Sequence, residues 1–177
     1  HGVIDYAEAV RILQAVAAYP ITPLVRVSWL EPALIMKALD CGASGIICPM
    51  INNRAQAEKF VSFCRYPPLG MRSFGPTRAL YSYGSNYYKE ANHEILCLAM
   101  IETVEAMENL ESIVSTPGLD GVYIGPSDLS LGIGNGKLAP GFDREEPEMK
   151  VAIKSVLEAA KKANIVAGLH CGSSKYA

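Results

Sequence analysis

The sequence predicts an α/β protein built on a parallel sheet, and three observations carry that expectation. Five short apolar runs, at residues 24–27, 45–49, 95–101, 121–124 and 165–169, alternate with stretches of helical spacing. The runs are continuous rather than alternating in polarity, so both faces are expected to be covered, as in parallel sheets flanked by helices. The segments between them are long enough to carry the chain back from the end of one strand to the start of the next. Period alone is compatible with a closed (β/α)8 barrel and with an open doubly wound sheet.

Each element has a local reason. Asp5 with Glu8 three residues on is a capping-box pattern, and Val10, Leu13, Val16 and Ala17 recur at helical spacing until Tyr19-Pro20 stops the helix. Residues 24–27 read as a strand that carries Arg26. Pro32 suits a first helical turn, and Leu34, Ile35, Ala38 and Leu39 form a face that Gly42 ends. After the strand at 45–49, Asn53 can cap a helix through Cys64 that carries Ala57, Phe60 and Val61, and Tyr66-Pro67-Pro68 ends it. Residues 69–94 mix Gly, Pro, Ser and Asn with tyrosine and phenylalanine, without clean periodicity; the expectation is a long loop and a candidate substrate-side lid. The strand at 95–101 leads to Thr103, which can cap a helix through about Val114. The strand at 121–124 follows, Pro147 opens a Lys/Glu-rich helix to about Ala163, and 165–169 is the last strand.

Composition bounds the partners. The 177 residues carry 16 Lys+Arg against 18 Asp+Glu, a formal net charge of −2, and 50% are apolar, which excludes disorder and low-complexity tails. With no run of Lys or Arg there is no electrostatic footprint for nucleic acid or an anionic membrane. No apolar run approaches the roughly 20 residues of a membrane span, and the start does not read as a signal peptide. Five cysteines, an odd number without a C-x-x-C pair, suit neither a disulfide framework nor a structural zinc site. The expectation is one domain, residues 1–177, in a reducing cytoplasm, with small-molecule partners.

In both candidate architectures ligands bind beyond the carboxyl ends of the strands, so the polar residues that terminate each run are informative. Glu102 and Asp128 follow successive strands and have the shape of a hard-cation site, in which one or two carboxylates leave room for water and substrate oxygens. The bland alternative for Glu102 is a helix N-cap. Arg26 within an apolar strand must be paired or serve a ligand, and its fork suits a carboxylate or an enolate oxygen. The run Gly125-Pro126-Ser127-Asp128-Leu129-Ser130 resembles a turn into a short helix whose backbone N–H groups would seat an anion. His1, His93 and His170, taken singly, are more often surface residues than catalysts. The glycines at 132, 134 and 136 miss the dinucleotide-loop spacing, and Cys48 reads as packing.

In this order the segments resemble the HpcH/HpaI aldolase family, the metal-dependent class II 2-oxo-acid aldolases such as 4-hydroxy-2-oxoheptanedioate and 2-dehydro-3-deoxyglucarate aldolases. The resemblance runs along the whole chain. It is carried by His1-Gly2, residues 24–27 with Trp29, Leu39-Asp40-Cys41-Gly42-Ala43 leading to Cys48-Pro49-Met50, Arg65-Tyr66-Pro67-Pro68 with Gly70-Met71-Arg72, Met100-Ile101-Glu102-Thr103, and above all residues 121–130. It implies a (β/α)8 barrel of which this chain holds only part, from the end of the second strand to the seventh. Roughly 70 residues would be lacking from a typical barrel. The start at His1 and the stop at Ala177 likewise suggest part of a longer protein.

The resemblance also implies roles. Glu102 and Asp128 match the metal ligands, with Mg2+, Mn2+ or Co2+ as the ion. Arg26 matches the arginine on the 2-oxo oxygen of pyruvate, and Gly125, Pro126, Ser127 and Asp128 match the seat of its carboxylate. His1 matches the catalytic histidine, with Asp40 as the carboxylate that orients it. The implied reaction is reversible aldol cleavage of a 4-hydroxy-2-oxo acid to pyruvate and an aldehyde through a metal-stabilised enolate, without a Schiff-base lysine, in a homo-oligomer that is a trimer or hexamer. Residues 72–84 and 169–172 depart from the best-known members, which leaves the aldehyde open: Arg72, Arg78 and the tyrosines could read a carboxylate or hydroxyls, or form a solvated loop. Two other readings compete. An acyl-CoA lyase or oxaloacetate-type decarboxylase could use the same metal-enolate site, although a CoA enzyme should bring a basic patch. A non-catalytic scaffold on a truncated barrel is the third.

Overall fold

The computed structural model describes residues 3–174 and Tyr176. In chain order its elements are α1 (Tyr6–Val16), β1 (Leu24–Arg26), α2 (Pro32–Asp40), β2 (Gly45–Cys48), α3 (Arg54–Cys64), α4 (Thr77–Tyr83), α5 (Tyr87–Glu94), β3 (Leu96–Ile101), α6 (Val104–Glu108), α7 (Leu110–Val114), β4 (Gly121–Ile124), α8 (Pro126–Ile133), α9 (Pro147–Ala163) and β5 (Val166–Leu169). The chain folds as two compact units, one of residues 1–48 and 59–97, the other of 49–58 and 98–177. Among the described residues no helix is long and apolar enough to cross a membrane.

In the first unit β1 and β2 run parallel, with Leu24 beside Gly45 and Arg26 beside Ile47. The capping box at the start of α1 forms as the sequence predicts: the Asp5 carboxylate and the Glu8 side chain each accept a backbone N–H of the other's turn. Helix α2 packs on β2 and buries Ile35 and Leu39 completely, each worth roughly 1.5–3 kcal/mol of transfer free energy. Gly42, at φ 108°, ends the run past α2 in a conformation open to glycine. Phe60, Cys64 and Ile95 complete this core, and Cys48 is buried in it, as packing.

Residues 69–94 are not the single long loop that composition suggested. They contain α4 and α5, of seven and eight residues, and only residues 69–76 and the turn at 84–86 between the two helices stay irregular. Neither helix has a side-chain N-cap bond, and each is too short to be stable alone, so neither left a strong mark in the sequence. Tertiary contacts hold them instead: Tyr83 and Tyr87 stack with ring centroids 5.7 Å apart, and the Tyr83 hydroxyl donates to the Gly42 carbonyl at 2.8 Å. Asn92 clamps the backbone of Tyr66, accepting its N–H at 2.7 Å and donating to its carbonyl at 3.1 Å.

In the second unit β4 pairs in parallel with β3 and β5, in the register Ile101, Ile124, Leu169. The helix expected from Thr103 to Val114 is broken in two at Asn109, whose side-chain amide turns back to the carbonyls of Asn52 and Glu105, both at 3.1 Å. The long α9 begins at Pro147, as the sequence predicts, and packs Met149 and Val156 against the sheet and α7 and α8. It ends on Asn164 in a left-handed cap. Strand β4 is largely buried, whereas Val166 at the start of β5 is 60% exposed.

Tyr66 supplies a test of the first unit's packing. Burial lifts its hydroxyl pKa from 10 to about 12, against the opposing pull of the nearby Arg72 cation. A raised phenol pKa contributes stability that is complete below pH 10 and is lost as the pH rises towards 12. The urea midpoint should therefore fall more steeply between pH 9 and pH 11 in the native protein than in Tyr66→Phe; parallel curves would show that Tyr66 ionisation does not limit the fold.

Candidate active site

In the second unit two of the expected site residues follow strand ends: Glu102 comes directly after β3, and Asp128 lies in the first turn of α8 after β4. Glu102 is only 1% exposed. It is not the cap of α6, because Thr103 takes that role: its Oγ1 accepts the Ala106 N–H at 3.0 Å and donates to Asn52 Oδ1 at 2.6 Å. The bland reading of Glu102 thus falls away. Its Oε1 accepts the N–H of Met50 at 2.8 Å. Met50 itself sits at φ 56°, a left-handed conformation that costs a methionine on the order of 1–2 kcal/mol and is here used to aim that N–H. On the other side, a Cβ on Gly125 would stand 2.5 Å from Glu102 Oε2 and 2.7 Å from the Met100 methyl. Only glycine leaves room for the carboxylate at that place.

The register carries the site across three strands. Gly125 N–H donates to the Ile101 carbonyl at 3.2 Å and His170 N–H to that of Ile124 at 3.1 Å, so Glu102, Gly125 and His170 form one row at the carboxyl ends of β3, β4 and β5. His170 stacks on Phe142 at 4.2 Å and leans towards Tyr123 at 6.2 Å. His170 is exposed at the end of β5, in keeping with a surface or hydrogen-bonded histidine at a strand's end, and strand pairing adds its place beside Gly125. Helix α8 starts immediately after Gly125. Pro126 at its first position has no N–H, so the amides of Ser127 and Asp128 are the ones that helix geometry directs outward there. Asp128 lies exposed in that first turn, where the helix dipole favours a negative charge. Ser130, the last residue of the motif, is buried and donates to the carbonyls of Ser127 and Ala139, which fastens the helix to the following loop.

Among the described residues no group of three or more His, Cys, Asp or Glu is placed to hold an ion. A hard cation commonly keeps water and substrate oxygens beside one or two carboxylates, whereas zinc takes three or four protein ligands. The space that Gly125 leaves by lacking a side chain is taken by the Glu102 carboxylate itself, whose Oε2 lies 2.5 Å from where a Cβ would stand.

The remaining predicted residues belong to the first unit. Arg26 is the last residue of β1, half-buried, with its Nη1 3.4 Å from the Val27 carbonyl. His1 lies outside the described residues. Asp40 is the last residue of α2, and its Oδ1 accepts from Arg72 Nη2 at 2.7 Å. The Arg72 side chain is fully buried: Nη1 donates to the Tyr87 hydroxyl at 3.1 Å, and the guanidinium lies over the rings of Tyr66 and Tyr87, at 4.5 and 5.6 Å from their centroids. Arg72 is therefore no part of a solvated loop. Arg78 stays on the exposed side of α4 and donates to Ser82 Oγ at 2.9 Å.

The family model for HpcH/HpaI aldolase/citrate lyase matches residues 2–172, and the chain belongs to that family. It is 45% identical over 177 residues to a hydroxypyruvate/pyruvate aldolase of Rhizorhabdus wittichii, covering all of this chain and 69% of that protein. It is 39% identical over 160 residues to a 4-hydroxy-2-oxo-heptane-1,7-dioate aldolase of Salmonella heidelberg, covering 89% of this chain and 59% of that one. Among solved structures, a HpcH/HpaI aldolase/citrate lyase family protein from Burkholderia cenocepacia superposes with a TM-score of 0.85 at 30% identity, over 97% of this chain and 68% of its own. The chain thus spans between about three fifths and seven tenths of the relatives it matches.

Two substitutions test the acidic row. Thr103→Ala should cost about 1 kcal/mol as a lost cap. Gly125→Ala should cost roughly 1–3 kcal/mol, because its methyl lands on Glu102 and Met100. Urea unfolding of both variants reads these out, and a neutral Gly125→Ala would mean that Glu102 does not fill the space described.

Proposed function

We propose that the full-length protein is a divalent-metal-dependent pyruvate aldolase that reversibly cleaves a 4-hydroxy-2-oxo acid to pyruvate and an aldehyde. The observation that carries this reading is the buried Glu102 carboxylate, which fills the recess beside Gly125 at the threshold of α8. The family, and relatives that are themselves named aldolases, support it.

In this reading Glu102 and Asp128 hold the ion, Mg2+, Mn2+ or Co2+, which supplies Lewis-acid stabilisation of the charge that develops on the 2-oxo oxygen. Gly125, Pro126, Ser127 and Asp128 seat the pyruvate carboxylate, with the amides of Ser127 and Asp128 as donors and the proline shaping the turn. Arg26 donates to the 2-oxo oxygen, and that interaction strengthens as negative charge develops on the oxygen in the enolate. His1, oriented by Asp40, takes the proton of the 4-hydroxyl; the C3–C4 bond breaks, its electron pair passes into the enolate, and the enolate is protonated at C3 to give pyruvate. Residues 1–177 form the larger part of one (β/α)8 catalytic domain, and the enzyme works as a cytoplasmic homo-oligomer, a trimer or hexamer.

Deuterium uptake into the pyruvate methyl group, followed by NMR in D2O with added Mg2+ and then with chelator, tests the reading without knowledge of the aldehyde. Exchange that chelator stops is expected, together with its loss in folded Arg26→Ala and Glu102→Ala. His1→Ala should impair cleavage more than exchange. A folded, metal-free Glu102→Ala protein with normal turnover would falsify the site. Oxaloacetate decarboxylation without pyruvate exchange would favour the decarboxylase reading instead.

A further inference from the structure

Asp40 occupies a position that elementary electrostatics disfavours, and the structure surrounds it with a device that answers this. A carboxylate in the last turn of a helix meets the negative end of the dipole. Its counter-ion, Arg72, comes from a segment 32 residues on and is itself removed from water. A buried guanidinium is costly unless its charge and its donors are answered. Here Nη2 goes to Asp40, Nη1 to the Tyr87 hydroxyl, and the rings of Tyr66 and Tyr87 lie against the guanidinium; Nε is left without a hydrogen bond among the described residues, so the bonds to Asp40 and Tyr87 carry the compensation. Tyr87 is fixed in turn by stacking on Tyr83, and Tyr66 by its contact with Phe74 at 5.7 Å and the Asn92 clamp. The fork thus has one orientation, and so has the carboxylate bound to it. Asp40 Oδ1 is held, while Oδ2 stands over Gly75, where an added Cβ would lie 3.0 Å away, and the side chain keeps 22% of its surface open.

We propose that Arg72 is the positioning residue of Asp40: the guanidinium, boxed by Tyr66 and Tyr87, pins Oδ1 and presents Oδ2, across the opening kept by Gly75, as the oxygen that orients the proton-transferring base. The inference rests on the aldolase reading, in which Asp40 serves the 4-hydroxyl proton and not the enolisation of pyruvate. It names two residues, Arg72 and Gly75, that touch no reacting atom and yet set the rate of cleavage.

The test uses the full-length protein with Mg2+ and two measurements on each variant: pyruvate methyl exchange in D2O, and cleavage of 4-hydroxy-2-oxoheptanedioate and of the pyruvate–glycolaldehyde adduct. Arg72→Ala should lower kcat for cleavage about 10–100-fold, the usual size of a lost orienting partner, with KM and methyl exchange within about threefold. Added guanidinium should restore part of the lost kcat. Gly75→Ala should shift the same balance with the ion pair intact. If Arg72→Ala does not fold, Arg72→Lys decides, since it keeps the charge but cannot bridge Asp40 and Tyr87 at once; selective loss of cleavage is again expected. Equal loss of exchange and cleavage, or cleavage unchanged in folded Arg72 variants, overturns the inference alone. Native protein that exchanges but cleaves neither adduct overturns it as well, because Asp40 then has no proton step to serve. Native protein without exchange overturns the aldolase reading and the inference with it.

Discussion

Taking a carboxylate out of water is the constraint around which the second unit is arranged. Glu102 is tolerated at 1% exposure because its surroundings are specialised. Met50 accepts a left-handed backbone to give it an N–H, Gly125 gives up its side chain to make space, and Thr103 caps α6, which relieves Glu102 of that role. The Asn52, Thr103 and Asn109 bonds then keep the Met50 segment against β3 and α6. Each of these choices costs some stability or some freedom of sequence. Together they hold a buried carboxylate in one place at the end of β3.

The first unit solves the mirror problem, a cation taken out of water. Arg72 is met by one carboxylate, one hydroxyl and two aromatic faces, while its Nε stays buried without a hydrogen-bond partner among the described residues. Burial works against its charge, yet Tyr87 and Asp40 outweigh it, so the guanidinium pKa lies above its ordinary value and the charge persists. Tyr66 and Tyr87 are the walls of this box, and Tyr87, in the stretch that looks like irregular loop in the sequence, ties α5 to α4 through its stack on Tyr83. Helices of seven and eight residues are held by what they pack against and not by propensity.

Much of this was legible beforehand where the information is local. The capping box of α1, the proline starts of α2, α8 and α9, and Thr103 as a cap all follow from spacing of a few residues, and they stand in the structure as read. The parallel strands were legible because continuous apolar runs report burial on both faces. Glu102 could be singled out, but not separated from a cap, since only its burial and its bond to Met50, 52 residues away, make the distinction. Arg72 with Asp40 was out of reach for the same reason: no period links a helix end to an irregular segment 32 residues later. His170 joins the row of Glu102 and Gly125 through register, which sequence does not record.

The bonds from Met50 and Asn52 to Glu102, Thr103 and Asn109 close loops of 51 to 57 residues. During synthesis the Met50–Asn53 peptide leaves the ribosome well before its partners exist, and at roughly 5–20 residues per second it waits several seconds for them. Until then Met50 has no carboxylate to reward its left-handed turn, so the backbone can relax to an ordinary conformation. The surroundings of Glu102 are therefore completed late: until β3 has emerged, the Met50 N–H has no carboxylate to bond, whereas the β1–β2 pair and α2 need only residues already made.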